Sequence, residues 1–496
     1  MKLYFRGHDC KYAAEQMLLC LFPEERPVYP PGDPVPGEDG LTLTFSRDTV
    51  SACAVLTRGG ETFTASAQEE GFPPDSDPLG QNRVTQRLLK LAFYRAARKS
   101  GVPQPPWGAL TGVRPVKLPA KALAHGGSLE EADALLRDLY DVTDVRRALA
   151  LSCAQYSAAA KESLGAQEVS LYVGIPFCPT RCAYCSFVSS DVKRALRQIE
   201  PYLDALLHET EALARVLREN GRTVRTVYIG GGTPTTLTAP QLERLLTGLR
   251  ETLDLSRCTE FTVEAGRPDT ITAEKLAVLR AHGADRVSVN PQSLQDSVLR
   301  AMGRAHTAQQ ARDAFVLSRD AGFPHVNTDL IAGLPKDSLS GFRATLKEVL
   351  SLAPENITVH TLALKRGSSL LGENGVPVLA LPPAEEVAGM LSFAWRSLLD
   401  AGYRPYYLYR QKYMSGSFEN VGWCLPEQES LYNIAMMEEL HPVLALGGGG
   451  VTKLVEPQTG RITRLSAPKY PYDYLSRLDD VLAQKEEIAA FFAAQP

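Results

Sequence analysis

Cys178, Cys182 and Cys185 stand at spacing C-x3-C-x2-C directly after the apolar run Leu171–Phe177. Soft thiolates select iron–sulfur clusters, and a 4Fe–4S cube needs four ligands. A compact loop that offers three leaves one iron open for a bound molecule, which suits a catalytic centre better than an electron relay. The competing readings are a structural zinc site and three unrelated buried thiols. Zinc would want a fourth Cys or His at short spacing, and the nearest downstream candidate, His208, is separated from the loop by a predicted helical stretch. The other six cysteines, Cys10, Cys20, Cys53, Cys153, Cys258 and Cys424, show no pairing spacing and read as reduced thiols.

Further polar groups follow at intervals. The run Gly230-Gly231-Gly232-Thr233-Pro234-Thr235 removes side chains where backbone must approach a ligand, although a glycine-rich turn alone serves equally as a tight strand-to-helix connection. Glu264 precedes Gly266 and Pro268, and a carboxylate there suits hydrogen bonds from a ribose or a charge-assisted pair with an ammonium. Arg304, downstream of Gln292, offers a guanidinium to a carboxylate.

The elements that must position these groups alternate between strand and helix from about Glu168 to Leu364. Apolar strands are predicted at Ser170–Ile175, Thr226–Ile229, Glu260–Val263, Arg286–Asn290, Val326–Ile331 and Ile357–Leu362. Helical stretches fall between them, such as Pro201–Leu217, Pro240–Leu253, Ala273–His282 and Ala308–Ala321. Six such units make an α/β fold with a parallel sheet, a partial or full (β/α) barrel. The cysteine loop, Gly230–Thr235, Glu264, Gln292 and Asp329 then lie at the C-terminal strand ends, which converge on one mouth. Upstream, 1–165 reads as an α+β domain with strands at Leu41–Ser46, Thr49–Thr57 and Thr62–Ser66, a turn at Gly59-Gly60, and helices at Arg83–Lys99 and, with a break, Leu129–Ala160. The barrel core spans 166–365, and 366–496 is a C-terminal extension expected to be mostly helical.

Composition bounds the class. A chain of 496 residues with 44% hydrophobic and 22% charged residues is ordinary for a globular enzyme of two or three domains. A net charge of −4 gives no global basic field, which argues against nucleic acid as a partner. Charged residues interrupt the N-terminal apolar positions, and no segment reaches about eighteen uninterrupted apolar residues, so neither a signal peptide nor a membrane span is expected and the cytoplasm is the default.

The motifs also occur together in a known family. Tyr172-Val173-Gly174-Ile175-Pro176-Phe177-Cys178, the cysteine loop, Gly230–Thr235, Val289–Ser293, Gly303-Arg304-Ala305-His306 and Asp329–Pro335 are collinear over roughly two hundred residues. They resemble the oxygen-independent coproporphyrinogen III oxidase (dehydrogenase) family of radical S-adenosylmethionine (SAM) enzymes. The N-terminal domain and the stretches Pro405–Gln411, Phe418–Trp423 and Ala445–Lys453 resemble its HemZ branch. The resemblance implies a radical SAM partial (β/α)6 barrel in which Cys178, Cys182 and Cys185 hold a 4Fe–4S cluster. Tyr172, Gly231, Glu264 and the backbones of Ala363 and Val451 would meet the SAM bound to that cluster. A second SAM, described for the family, would meet Tyr184, Gly232, Thr233, Gln292, Arg304 and Asp329.

The activity so implied is anaerobic oxidative decarboxylation. A 5′-deoxyadenosyl radical takes hydrogen from the β-carbon of a ring propionate of coproporphyrinogen III, and loss of carbon dioxide and one electron leaves a vinyl group, twice, giving protoporphyrinogen IX. A flavodoxin or ferredoxin type of donor would supply the reducing electron. The tetrapyrrole carries four carboxylates, for which Arg410, Lys412, Lys365, Arg366, Arg114 and Lys117 are candidate partners. No protein side chain is assigned as catalytic. One departure bears on the substrate: Phe187 stands where the best-defined members have a further cysteine. Haem chaperones of the same superfamily share that departure, but their His-Asn-x-x-Tyr-Trp motif corresponds here to Glu419-Asn420-Val421-Gly422-Trp423. A haem carrier, or a radical SAM enzyme acting on another tetrapyrrole, is the alternative.

Overall fold

A computed structural model of the chain describes every residue except 74–75, 187–189, 366, 373–375, 412–417 and 496. The chain divides into two compact units, Met1–Leu151 and Ser152–Pro496.

In the first unit, β1 (Leu3–Arg6), β2 (Gly40–Ser46), β3 (Ser51–Arg58) and β4 (Glu61–Gln68) form a four-stranded sheet in chain order. Only the β1–β2 pair is parallel. Burial alternates along β2 and β3, so Leu41, Leu43 and Phe45, with Ala52, Ala54 and Leu56, are covered while their neighbours are not. The expected Gly59-Gly60 turn joins β3 to β4 with both residues at positive φ, 58° and 82°. The helix Pro78–Lys99 packs on this sheet, its first turn capped by Asp77, which accepts from the Gly80 N–H at 2.7 Å. The predicted break in the following helical stretch falls at 140–143, after a wider helical turn at Leu135–Leu139.

The second unit begins with β5 (Glu168–Ile175), a short pair β6 (Phe177–Cys178) and β7 (Ser190–Asp191), then β8 (Thr223–Gly231) and β9 (Glu260–Glu264). It continues with β10 (Arg286–Ser288), β11 (His325–Ala332) and β12 (Asn356–Thr361). The six expected strands are therefore β5, β8, β9, β10, β11 and β12, hydrogen-bonded side by side in that order and all parallel. Each is covered by helices, among them Val192–Glu219, Ala239–Thr252, Ala273–Ala281 and Ala308–Asp320. Val173, Ile229, Val263, Val287 and Val326 of the strands share one core with Leu206, Leu245 and Leu276 of the helices. Thr238 with Gln241, and Thr307 with Gln310, close capping boxes that fix where two of these helices begin.

One expectation about this unit is met in part, and one is corrected. Hydrogen bonds do not close a barrel: among the described residues the sheet is open, with edges β13 (Arg404–Tyr409) and β17 (Ile462–Ser466). The C-terminal stretch is also less helical than expected. It supplies β13 and β14 (Asn420–Cys424) beyond β12, and β15 (Val443–Leu446), β16 (Val451–Val455) and β17 beyond β5, making eleven strands in a mixed sheet. These strands are only four to six residues long, and β15 interrupts its apolar run with a glycine-rich turn, so their periodicity is weak. Residues 152–163 pack within this unit: Ser152 donates to the Pro405 carbonyl at 2.8 Å, and Tyr156 and Ala160 lie against Tyr406, Tyr407 and Cys424.

A buried ion pair ties the C-terminal helix Leu478–Ala493 to Val192–Glu219. Lys485 Nζ lies 2.5 Å from Glu209 Oε1, with the two side chains 5% and 1% exposed. The other Glu209 oxygen accepts from the Tyr474 hydroxyl at 2.6 Å and the Gly447 N–H at 2.7 Å. Removing one partner would leave the other charge buried and uncompensated. Lys485→Ala is expected to lower the unfolding free energy by about 3–5 kcal/mol, read by urea denaturation; a loss below about 1 kcal/mol would show that the pair is not desolvated as described.

Candidate active site

Because the six strands are parallel, their C-terminal ends share one edge, and the predicted groups collect there. Past the paired Ile175 and Gly231, the Gly232 N–H donates to the Ile175 carbonyl at 2.8 Å and the Thr233 N–H to the Phe177 carbonyl at 2.7 Å. Cys178, at the end of β6, is thereby held beside the glycine turn, its sulfur 3.6 Å from the Thr233 hydroxyl. A Cβ on Gly232 would come within 2.5 Å of the Phe177 carbonyl oxygen, and Gly231 adopts φ 109°, so side chains are excluded from this turn by sterics.

Cys182 and Cys185 lie in the loop after β6, half-buried like Cys178, and none of the three is in a disulfide. The loop is fastened at several points: Ala183 N–H to the Met302 carbonyl at 2.9 Å, Leu370 N–H to the Ala183 carbonyl at 3.1 Å, and Arg181 to the Gly367 carbonyl at 2.6 Å. Two guanidiniums face Cys182. Arg304 donates to its sulfur at 3.6 Å and Arg267 at 3.7 Å. Arg304 also donates to the Tyr184 hydroxyl at 2.8 Å and to the Gly266 and Asn290 carbonyls at 3.1 and 2.6 Å, which engages both of its terminal nitrogens. Lys365 neighbours Cys185, and its burial pulls its ammonium below the ordinary lysine value. The buried ring of His306 is pushed down to about 3 by desolvation and by Arg304 and Arg267, so it is neutral at physiological pH.

Opposite the cations stand carboxylates. Glu264 ends β9, where its carboxylate accepts from the Tyr228 hydroxyl. Burial pushes Glu264 up to about 7; the charge of Asp329 adds to this, while Tyr228, the Gly231 N–H and His360 pull it down. Tyr228 is sandwiched between Tyr172, stacked at 6.3 Å, and Tyr432, at 4.4 Å. The Tyr172 hydroxyl lies 3.3 Å from where a Gly231 Cβ would be. On β11, Asp329 sits 3.7 Å from His360 Nε2, whose other ring nitrogen is 3.4 Å from the Tyr409 hydroxyl. Gln292 adopts the left-handed conformation, φ 69°, because its backbone bridges to β11 on both sides, through the Asp329 carbonyl and the Ile331 N–H, each at 3.0 Å. Its Oε1 is buried without a hydrogen-bond partner among the described residues.

Ala363 and Val451 are more peripheral. Ala363 follows β12, flanked by Leu362 and Leu364, which pack in the cluster that holds Ala183 and Tyr184 of the cysteine loop. Val451 opens β16 after Gly447–Gly450, and β15 runs parallel to β5 with Leu446 opposite Val173, so this turn adjoins the same edge. Of the candidate substrate cations, Lys365 and buried Arg410 belong to this unit, Arg114 and Lys117 to the other, and Arg366 and Lys412, like Phe187, fall outside the described residues. Sequence reasoning missed Tyr228, Tyr432, His360 and Arg267. For Tyr228 a signal existed: two positions before Gly230 on one strand, it shares that residue's face.

Among the described residues, no three His, Cys, Asp or Glu side chains are grouped so as to hold one metal ion. A 4Fe–4S cluster assigns each thiolate its own iron and needs no such convergence. The three thiols, the cations that face Cys182 and Cys185 and the side-chain-free turn at Gly231-Gly232 fit a negatively charged cluster with a small molecule beside it.

Known proteins decide the family. The Radical SAM superfamily matches residues 172–349. The oxygen-independent coproporphyrinogen-III oxidase-like protein HemZ of Bacillus subtilis is 42% identical over 456 residues, 90% of each chain. The chain belongs to the HemZ-like branch of the radical SAM proteins. The heme chaperone HemW of Escherichia coli is 29% identical over 62% of this chain and 75% of its own. The structure of the coproporphyrinogen III oxidase HemN of E. coli matches with TM-score 0.50 at 25% identity, over 65% of this chain and 71% of that one. This HemZ-like chain therefore has an α/β radical SAM fold similar to that of HemN, and its family implies a 4Fe–4S cluster and SAM. Among its described residues no helix is long and apolar enough to cross a membrane.

Two outcomes are expected of the HemZ-like site. Cys182→Ala should abolish the reconstituted cluster absorbance near 400 nm while Cys258→Ala retains it; a full cluster in the first variant would overturn the ligand set. Between about 4.5 and 7 the folded protein holds the Glu264 proton and the unfolded chain does not, so stability must fall as pH rises through that window. The loss is on the order of 3 kcal/mol, read by urea unfolding of the cluster-free protein at pH 5 and 8, and Glu264→Gln should lack that part of it.

Proposed function

We propose that this protein decarboxylates coproporphyrinogen III oxidatively, without oxygen, as a radical SAM enzyme. The observation that carries this reading is the edge at which three cysteine thiols, two of them faced by cations, meet the open glycine turn and Glu264, in a chain similar to HemZ along nine-tenths of its length. Cys178, Cys182 and Cys185 would hold the cluster. Glu264 and the Gly231 backbone would orient the SAM on its open iron, with Tyr172 beside the methionyl part and the Ala363 and Val451 backbones at the periphery. When bound, these groups supply a 5′-deoxyadenosyl radical able to take a hydrogen atom from a propionate β-carbon.

The chain's own residues bind, orient and exclude water. The buried Gln292 Oε1 lacks a partner among the described residues and suits a donor on a second SAM, together with Tyr184, Gly232, Thr233 and Asp329. Arg304 would act at that second site through Tyr184, since both of its terminal nitrogens are engaged. Lys365 and Arg410 are the described cations proposed for the propionates, and a flavodoxin or ferredoxin type of protein is the proposed electron donor.

A haem carrier is the second reading, favoured by Phe187 in place of a cysteine and by similarity to HemW. Anaerobic incubation of the reconstituted protein with reductant, SAM and coproporphyrinogen III separates the two. The decarboxylase predicts 5′-deoxyadenosine together with monovinyl and divinyl products, absent with Cys182→Ala. SAM cleavage with no porphyrin turnover, combined with tight haem binding and transfer to an apo-acceptor, would replace it with the carrier.

A further inference from the structure

We propose that Arg267 raises the reduction potential of the cluster by donating a charge-assisted hydrogen bond to the Cys182 sulfur. The proposal rests on the cluster reading above. Arg267 follows Glu264 by three residues, in the turn that leaves β9, and only 3% of it is exposed. Its guanidinium is fully aimed. Nη1 donates to Cys182 Sγ at 3.7 Å and to the Thr180 carbonyl and hydroxyl, each at 3.2 Å; Nη2 reaches the same hydroxyl at 3.1 Å. Asp269 holds the fork from behind with Nε and Nη2 contacts of 3.1 and 3.2 Å. Arg304 approaches the same sulfur at 3.6 Å, so two guanidiniums converge on one ligand.

A loop clamp alone does not require this arrangement. Burying a guanidinium carries a large desolvation penalty, and neutral donors would satisfy Thr180 as well. A cation against the sulfur has a consequence that a neutral clamp lacks. Hydrogen bonds to ligand sulfurs, and positive charge at low dielectric, favour the form of the cluster that carries one more electron. Cys182 then becomes the ligand through which the protein adjusts how readily the cluster accepts its electron. Asp269 acts as the positioning partner, holding Nε and Nη2 while Nη1 meets Cys182.

The test is a potentiometric titration followed by electron paramagnetic resonance, on reconstituted wild type, Arg267→Gln and Arg267→Lys, with iron and sulfide content measured alongside. Arg267→Gln is expected to keep its cluster and to reduce at a more negative potential, with Arg267→Lys shifted less in the same direction. An unchanged midpoint in Arg267→Gln with a full cluster overturns the proposal. Should Arg267→Gln fail to assemble a cluster, Arg267→Lys decides: a negative shift supports the assignment, and either an unchanged midpoint or the same assembly failure reduces Arg267 to a structural clamp. Wild type that takes up no cluster would instead overturn the cofactor reading, and a loaded cluster without porphyrin turnover leaves this test standing.

Discussion

The register of β5 against β8 is the constraint from which the site is built. Gly174 pairs with Gly230 and Ile175 with Gly231, and the ladder continues past the strand ends through the Gly232 and Thr233 N–H groups. One hydrogen-bonded edge therefore fixes both the first cysteine and the glycine turn. A slip of one residue would turn every side chain of β5 to the opposite face, moving Tyr172 away from Tyr228 and burying the wrong residues in the core. Parallel pairing then extends this alignment to Glu264, Asp329 and the segment after β12, because each strand ends at the same edge.

Charge is partitioned across that edge. Arg267, Arg304 and Lys365 lie toward the thiols, while Glu264 and Asp329 lie toward the strand ends, near enough that the charge of one raises the proton affinity of the other. Tyr228 mediates between the two carboxylates and the aromatic layer: its hydroxyl serves Glu264, and its ring is fixed between Tyr172 and Tyr432. The partition suits a site that must hold an anionic cluster on one side and the hydroxyls or ammonium of a ligand on the other.

What the sequence made legible was local. C-x3-C-x2-C needs only residue spacing, and the six parallel strands announce themselves as apolar runs separated by amphipathic helices. Gly59-Gly60 and Gly231 are readable because only glycine adopts their conformations without strain. Long-range pairings are different. Lys485 meets Glu209 across 276 positions and Arg267 meets Cys182 across 85, and nothing in the local pattern around either arginine or lysine distinguishes it from a solvated surface cation. The same holds for β15: four apolar residues before a glycine run read as readily as a loop, and only pairing with β5 makes them a strand.

That pairing gives the C-terminal stretch its part in the site. Gly447 N–H and Gly448 N–H are held by Glu209 and the Tyr202 hydroxyl, and Tyr202 donates onward to the Gly174 carbonyl at 2.6 Å. A Cβ on Gly174 would lie 2.8 Å from the Gly448 carbonyl oxygen, and one on Gly447 would lie 2.5 Å from the Gly174 carbonyl oxygen. Backbone thus touches backbone on the β15 side of β5 as it does at Gly232 on the β8 side, and both contacts require glycine. The strand that leads into the cysteine loop is gripped between two glycine turns. One is placed by the neighbouring strand β8, the other by an ion pair whose lysine comes from the last helix of the chain. The C-terminal extension is for that reason built against the strand that enters the cysteine loop, and its buried ion pair holds the turn that touches Gly174.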